Sequence, residues 1–281
     1  MAVAPAGPPA MAPVSTTGPG AGVLRPATTL RSGPAYWLAG YRTMVRWHLS
    51  SMRLWLVLLV MVQVLVGVGY VLGVGLFFDD VPPITAAYVS TGAPVFNLVL
   101  LGMLLGPQLV ADMRSSGGYD VLQSLPVPTT ASAVAWTTVT LLGGVPPVAI
   151  TLGAARLRYP DVPFAVSPAV VPAVLLVVVA GTMIGYALAY AVSDPRVTQL
   201  VTQFLVFALL GFAPIVFPPQ QMPGWLVSVN EWLPLTHMAT VVRDALTDGV
   251  VTADVGRAYA VLTAWAVAAG AAAVTALRRR G

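Results

Sequence analysis

The 281-residue chain contains no cysteine and no lysine. Without cysteine there is no disulfide framework, no thiol nucleophile and no cysteine-ligated metal. Without lysine the phosphate-gripping residue of a G-x-x-x-x-G-K-[ST] loop is excluded outright. Charge is scarce as well. Fourteen arginines and ten acids make up 9% of the residues, against roughly 25% in soluble domains. Hydrophobic residues account for 57%. The chain is therefore read as an integral membrane protein. Its arginines are scattered between apolar runs, which suits the flanks of membrane spans better than a nucleic-acid surface. No ionisable residue sits centrally in an apolar run. A proton- or sodium-coupled carrier usually needs such groups, and a membrane-embedded enzyme needs a catalytic constellation. Asp79 and Asp80 flank a span end, and Asp244 and Asp248 stand one helical turn apart with no third ligand nearby. Neither pair is read as a metal site. The two histidines, His48 and His237, are far apart in sequence, and His48 is read as an interfacial side chain.

What is present is organised around apolar runs. Residues 1–33 are mostly Ala, Pro, Gly, Ser and Thr with only Arg25 and Arg31 charged, and read as a disordered tail without a signal-peptide core. From Pro34 to Arg53 the pattern changes. Trp37, Tyr41, Met44, Val45, His48 and Met52 share one helical face, with Arg42, Arg46, Ser50 and Arg53 opposite. That pattern predicts a helix lying in the membrane interface, or a pair of Arg-flanked turns leading into the first span. Six apolar runs follow, each near the ~20 residues needed to cross a bilayer. They are Leu54–Leu76, Pro94–Ala111, Ala131–Gly153, Pro168–Val192, Gln199–Phe217 and Arg257–Leu277. With a cytoplasmic N-terminus, ten arginines fall inside and four (Arg156, Arg158, Arg243, Arg257) outside, matching the positive-inside rule. Both termini are then expected in the cytoplasm.

Within the runs, Gly69 with Gly73, Gly102 with Gly106 and Gly181 with Gly185 offer close helix approach, in one chain or at a dimer seam. Gln199, Thr202 and Gln203, with Arg196 before them, are the polar residues of the fifth run. They could line a path or bond a neighbouring helix. Two connections stand out. The loop from Ala111 to Pro126 has two glycines, then a turn or two of helix with Tyr119, Val121, Leu122 and Leu125 on an apolar face, stopped by Pro126 and Pro128. Such a face needs cover from the chain itself or from a partner. The stretch from Phe212 to Gly249 holds five prolines yet shows helical spacing on both sides of Pro234. It predicts two short helices, about 222–248, dipping into or lying on one membrane face, or else a loop with two surface helices.

The residues of these two connections resemble the permease subunits of type-2 ATP-binding-cassette exporters of the daunorubicin-resistance kind. The loop supplies Arg114, Gly117, Asp120, Leu122, Pro126 and Val127 of the family pattern, departing at Met113 and Gly118. The outer stretch supplies Pro214, then Pro223 and Trp225, then Pro234, Leu235 and Thr236, then Arg243 and Leu246, with Leu233 in place of Asn. The resemblance covers about Pro34 to the C-terminus. It implies an all-α transmembrane domain over 34–281, with six transmembrane helices, an N-terminal interfacial helix over 34–53, a cytoplasmic coupling helix and two outer half-helices. It implies a site against a separate ABC ATPase subunit formed by Arg42, Arg46, Arg114, Gly117, Tyr119, Asp120, Leu122, Leu125 and Pro126. It implies an outer gate at Pro214, Pro223, Trp225, Pro234, Thr236 and Arg243. No cofactor is expected on this chain; ATP and Mg belong to the partner ATPase. A second permease chain and membrane lipid are the other expected partners, with no nucleic acid. The expected location is the bacterial plasma membrane. The expected activity is ATP-driven export of a hydrophobic or amphipathic drug, lipid or lipid-linked glycan. The alternative is a non-transporting scaffold or immunity protein with the same fold.

Overall fold

A computed structural model describes residues 33–77, 81–105, 108, 113, 116, 117, 125–192, 194–215, 218–249 and 254–278. They form nine α-helices: α1 (Pro34–Ser51), α2 (Arg53–Phe77), α3 (Pro83–Val99), α4 (Thr129–Arg158), α5 (Val170–Ala191), α6 (Pro195–Phe212), α7 (Gly224–Asn230), α8 (Pro234–Thr247) and α9 (Val255–Arg278). A π-helical turn, Leu100–Leu105, extends α3, and a short 3₁₀ turn, Pro219–Gln221, precedes α7. Among the described residues there is no strand, only an isolated bridge between Ala165 and Thr247. The protein is an all-α membrane protein. Among the described residues, five helices are long and apolar enough to cross a bilayer: α2, α3 with its π turn, α4, α5 and α9.

Several expected bounds move. The second span begins at Pro83, not Pro94, and Pro94 stands inside the helix. Pro146 and Pro147 likewise sit inside α4, which runs on past Gly153 to Arg158. Proline is tolerated here because, away from water, a helix remains the best way to bond the backbone and neighbouring helices cover the break. The fifth expected span corresponds to α6, which ends at Phe212 rather than Phe217. Its 18 residues reach roughly 27 Å, short of the other spans.

Helix α3 is the centre of the bundle. Every residue from Ala86 to Val99 is buried. Val95, Leu98 and Val99 join Val177 and Val178 of α5, Met238 and Val242 of α8 and Leu262 of α9 in the main core. A second cluster joins Val71 of α2 and Val89 of α3 to Ala155 and Tyr159 at the end of α4. Two close approaches set the helix spacing. At Gly102 an added Cβ would stand 3.2 Å from the Gly181 Cα, so the π turn and α5 touch backbone to backbone. At Gly67 a Cβ would stand 2.3 Å from Thr151 Oγ1 and 2.6 Å from Asn97 Nδ2. Asn97 Nδ2 itself donates to Thr151 Oγ1 across 3.3 Å. Gly67 was not singled out by spacing, whereas Gly69 and Gly73 face open space. The outward side of α2, including Leu58, Met61 and Leu65, is exposed.

Helix α1 starts at Pro34 as expected but ends at Ser51, with Arg53 opening α2, and its apolar face lies on protein. Gly40, Met44 and His48 are buried. Tyr36 donates to the carbonyl of Pro126. Trp37 donates to Thr130 Oγ1 at 3.0 Å, and Tyr41 pairs with Thr138 Oγ1 at 3.1 Å. Gly40 meets Pro128 and Val127 so closely that an added Cβ would be 3.2 Å from each. The His48 ring sits edge-on to Trp47 and Trp136, with centroids 5.0 and 5.3 Å away. Burial pushes its pKa down to about 4.

Two outcomes follow from this packing. Gly67→Ala forces a methyl into the Asn97–Thr151 contact and is expected to lower stability by about 1–3 kcal/mol. Adding Thr151→Ala should recover part of that loss, read as a thermal-melting double-mutant cycle in detergent. For His48, the folded pKa lies below the ordinary 6.5, so the undocked helix binds the proton more readily. The docking of α1 is therefore at full strength above about pH 6.5 and weakens as pH falls toward 4. Tryptophan fluorescence from Trp47 and Trp136 should change across that window in the native chain and stay flat in His48→Gln.

Candidate functional site: a pinned outer hairpin and a two-part docking face

Helices α7 and α8 form a hairpin broken at Pro234, which occupies the first turn of α8, where its missing N–H costs nothing. The break is covered by side-chain bonds. Asn230 Nδ2 donates to the carbonyls of Phe212, at the end of α6, and Leu226, at 2.8 and 2.9 Å. His237 Nε2 pairs with the carbonyl of Glu231 at 2.9 Å. Trp265 of α9 donates to the carbonyl of Trp232 at 3.0 Å. At the other end of α8 the orphan carbonyls of Ala245 and Leu246 accept the N–H groups of Ser167 and Ala165, both at 2.9 Å. Asp248 and Gly249 then turn the chain away with φ of 48° and 80°.

The hairpin is fixed to the bundle by Arg243, which is 3% exposed. Its Nε donates to Thr91 Oγ1 at 3.0 Å. Its Nη2 donates to the carbonyl of Ile215 at 2.7 Å. Its guanidinium carbon lies 3.9 Å from the centre of the Tyr88 ring. One cation thus ties together α3, α8 and the turn after α6. Arginine suits this position because its flat fork bonds two oxygens while its face stacks on a ring. A charge buried among a π face, a hydroxyl and a carbonyl is costly to form, so the contacts hold only while all are made.

A family model described as ABC-2 family transporter protein matches residues 83–275. The chain belongs to the ABC-2 transporter family. The matched residues run from the start of α3 through α9 and take in the hairpin. No individually curated protein matches the chain.

In this ABC-2 chain the expected outer-gate residues are drawn partly together. Pro214 is buried beside Ile215, the partner of Arg243. Pro234 is buried, and Thr236 is half-buried with a hydroxyl that lacks a partner. Pro223 caps α7, and Trp225 points outward, 65% exposed. Of the fifth-run polar residues, Thr202 is buried and donates to its own helix at Thr198, at 2.7 Å. Gln199 and Gln203 lie exposed. The expected ATPase face is described at its edges. Gly117 is exposed with φ 72°. Leu125 is exposed, Pro126 is bonded to Tyr36, and Arg42 and Arg46 are exposed on α1. Arg114, Tyr119, Asp120 and Leu122 lie outside the described residues. Tyr88, Thr91, Asn230 and His237 were not anticipated as site residues. Polar residues flanking a proline break in apolar sequence were the available signal for Asn230 and His237; for Tyr88 and Thr91 there was none.

Removing the Arg243 guanidinium leaves the Ile215 carbonyl and the Thr91 hydroxyl without their partner. Arg243→Ala is therefore expected to lower stability by about 2–4 kcal/mol. Hydrogen exchange should quicken over residues 218–247 and near Thr91 before the rest of the bundle. Arg243→Lys should recover only part, since one ammonium cannot bond both oxygens and stack on Tyr88.

Proposed function

We propose that this ABC-2 permease is the membrane half of an ATP-driven exporter in a bacterial plasma membrane. Two permease chains, identical or paralogous, would join two ABC ATPase subunits that hold ATP and Mg. Both termini and α1 would be cytoplasmic, with the α7–α8 hairpin toward the outside. The cargo would be a hydrophobic or amphipathic drug, lipid or lipid-linked glycan, since no charge lies centrally in the spans to receive a small, strongly charged solute.

The observation that carries this reading is the joint between α1 and the end of the 111–126 loop. Tyr36 and Trp37 hold α1 to Pro126 and Thr130, and the Gly40 backbone lies against Val127 and Pro128. This packing supports one surface that includes Arg42, Arg46 and the exposed Leu125. A partner seated there could act on α2 through α1 and on α3 and α4 through the loop. ATP binding would bias the spans only through contacts that differ between the two permease conformations.

The test is co-purification with an ABC ATPase in detergent, followed by reconstitution. A complex of two permease and two ATPase chains is expected, with ATP-dependent movement of a lipophilic substrate. Leu122→Asp should lower ATPase stimulation and transport at least tenfold while leaving the melting temperature within about 2 °C of the native chain. Unaltered transport by a well-expressed Leu122→Asp protein would overturn the assignment of the loop. Failure of every ATPase tried to bind would favour a non-transporting role.

A further inference from the structure

Helix α7 and the turn that follows it carry two exposed strips side by side. Trp225, Val229 and Trp232 recur at helical spacing and are 65%, 49% and 75% exposed. Gly224, Ser228 and Glu231 form a second exposed strip beside them, Glu231 keeping helical backbone angles at the end of α7. Leu226 and Asn230 are buried on the opposite side. The uncovered surface is thus an aromatic strip edged by a polar one that ends in a carboxylate.

The depth of this surface is set by its bonds. The Trp232 carbonyl is held by Trp265, ten residues into α9, roughly 15 Å along that helix from its hairpin end. The far end of α8 is bonded to the 159–169 connection at the same end of the bundle. With α9 read as a membrane span from its first turns, the hairpin tip falls inside one half of the bilayer. An ionised carboxylate facing hydrocarbon at such depth costs several kcal/mol. Irregular backbone there also requires a protein-lined or wet surrounding. The His237 bond takes the Glu231 main-chain carbonyl, and its side chain stands exposed. Of the four arginines expected on this side, Arg243 and Arg158 are bonded elsewhere, to Thr91 and Ile215 and to the Gly75 carbonyl, while Arg156 and Arg257 stand exposed near the last turn of α4 and the first turn of α9.

We propose that the α7 tip recognises a lipophilic cation, with Glu231 meeting the positive charge and the Trp225–Val229–Trp232 strip meeting the apolar body. Indole faces attract cations and shield the charge pair from water, so the two strips favour the same ligand. This rests on the exporter reading for the cation's being cargo; the binding itself does not. The cation could be a free solute or the amine of a lipid headgroup.

The experiment uses the full chain in an uncharged maltoside detergent and equilibrium dialysis of two probes of one shape, tetraphenylphosphonium and tetraphenylborate. The cation should bind more tightly than the anion. Glu231→Gln should weaken the cation about fivefold or more and leave the anion unchanged. Glu231→Asp should retain the preference, and Asp161→Asn, at an exposed acid outside the hairpin, should not alter it. Competition by phosphatidylethanolamine but not phosphatidylglycerol would identify a lipid amine as the source of the cation; absence of competition would identify a free solute. Equal affinity for the two probes, or a preference that survives Glu231→Gln, would overturn the proposal. So would a loss confined to dimer content on size exclusion, which would give Glu231 to a second copy of the chain. Reconstituted with an ATPase, transport without charge preference would sink this inference alone. Persisting cation preference with no ATP-driven transport would sink the exporter reading alone.

Discussion

A backbone inside hydrocarbon has to find its hydrogen bonds within the protein, and that constraint governs this structure. Long helices meet it by themselves, which is why α3 and α4 continue through Pro94 and Pro146–Pro147. The interruption that cannot meet it alone is the α7–α8 break, and the bundle is built around covering it. Asn230, His237 and Trp265 take the loose carbonyls at the tip. Ala165 and Ser167 bond to those at the far end of α8. Arg243 takes the Ile215 carbonyl after α6 ends. Some covers come from the hairpin itself (Asn230, His237 and Arg243) and others from α9 and the 159–169 connection, so the hairpin depends on how those neighbours are placed.

That dependence explains the tight packing around α3. The helix touches α5 through Gly102 and Gly181 and leans on α2 and α4 where Gly67, Asn97 and Thr151 meet. At Gly67 a single methyl would overlap neighbouring atoms, and at Gly102 it would be a tight fit against the α5 backbone. Helix α3 carries Tyr88 and Thr91, the platform for Arg243. A shift in α3 would therefore be felt at the hairpin. The same helix runs toward the 106–124 connection, whose far end is bonded to α1. One buried helix thus links the proposed ATPase face to the hairpin, as a transporter needs if events on one side of the membrane are to move contacts on the other.

The two ends differ in chemistry. Around α1 the exposed side carries arginine and the covered side aromatic rings and a neutral histidine. At the hairpin the pattern is reversed, with arginine buried and tryptophan and glutamate exposed. A cation buried among neutral groups and an exposed carboxylate are both expensive at membrane depth. The first is resolved inside the chain by Tyr88, Thr91 and Ile215. The second is left for whatever faces the uncovered side of α7.

Membrane residence, helical class, a helix starting at Pro34 and the break at Pro234 were all legible in the sequence. Each depends on local composition or on the spacing of neighbours along one helix, and hydrocarbon leaves few alternatives to a helix. The start of the second span was misplaced because Pro94 reads as a boundary in water but not within a covered bundle. The role of Gly67 over Gly69, the seat of Arg243 and the exposure of Glu231 were decided only by tertiary structure. They join residues such as Thr91 and Arg243, or Trp232 and Trp265, that no period of one helix connects. Which way a side chain faces, and how far from water it lies, is a property of neighbours brought together by packing, and these are set only when the helices have found their crossings.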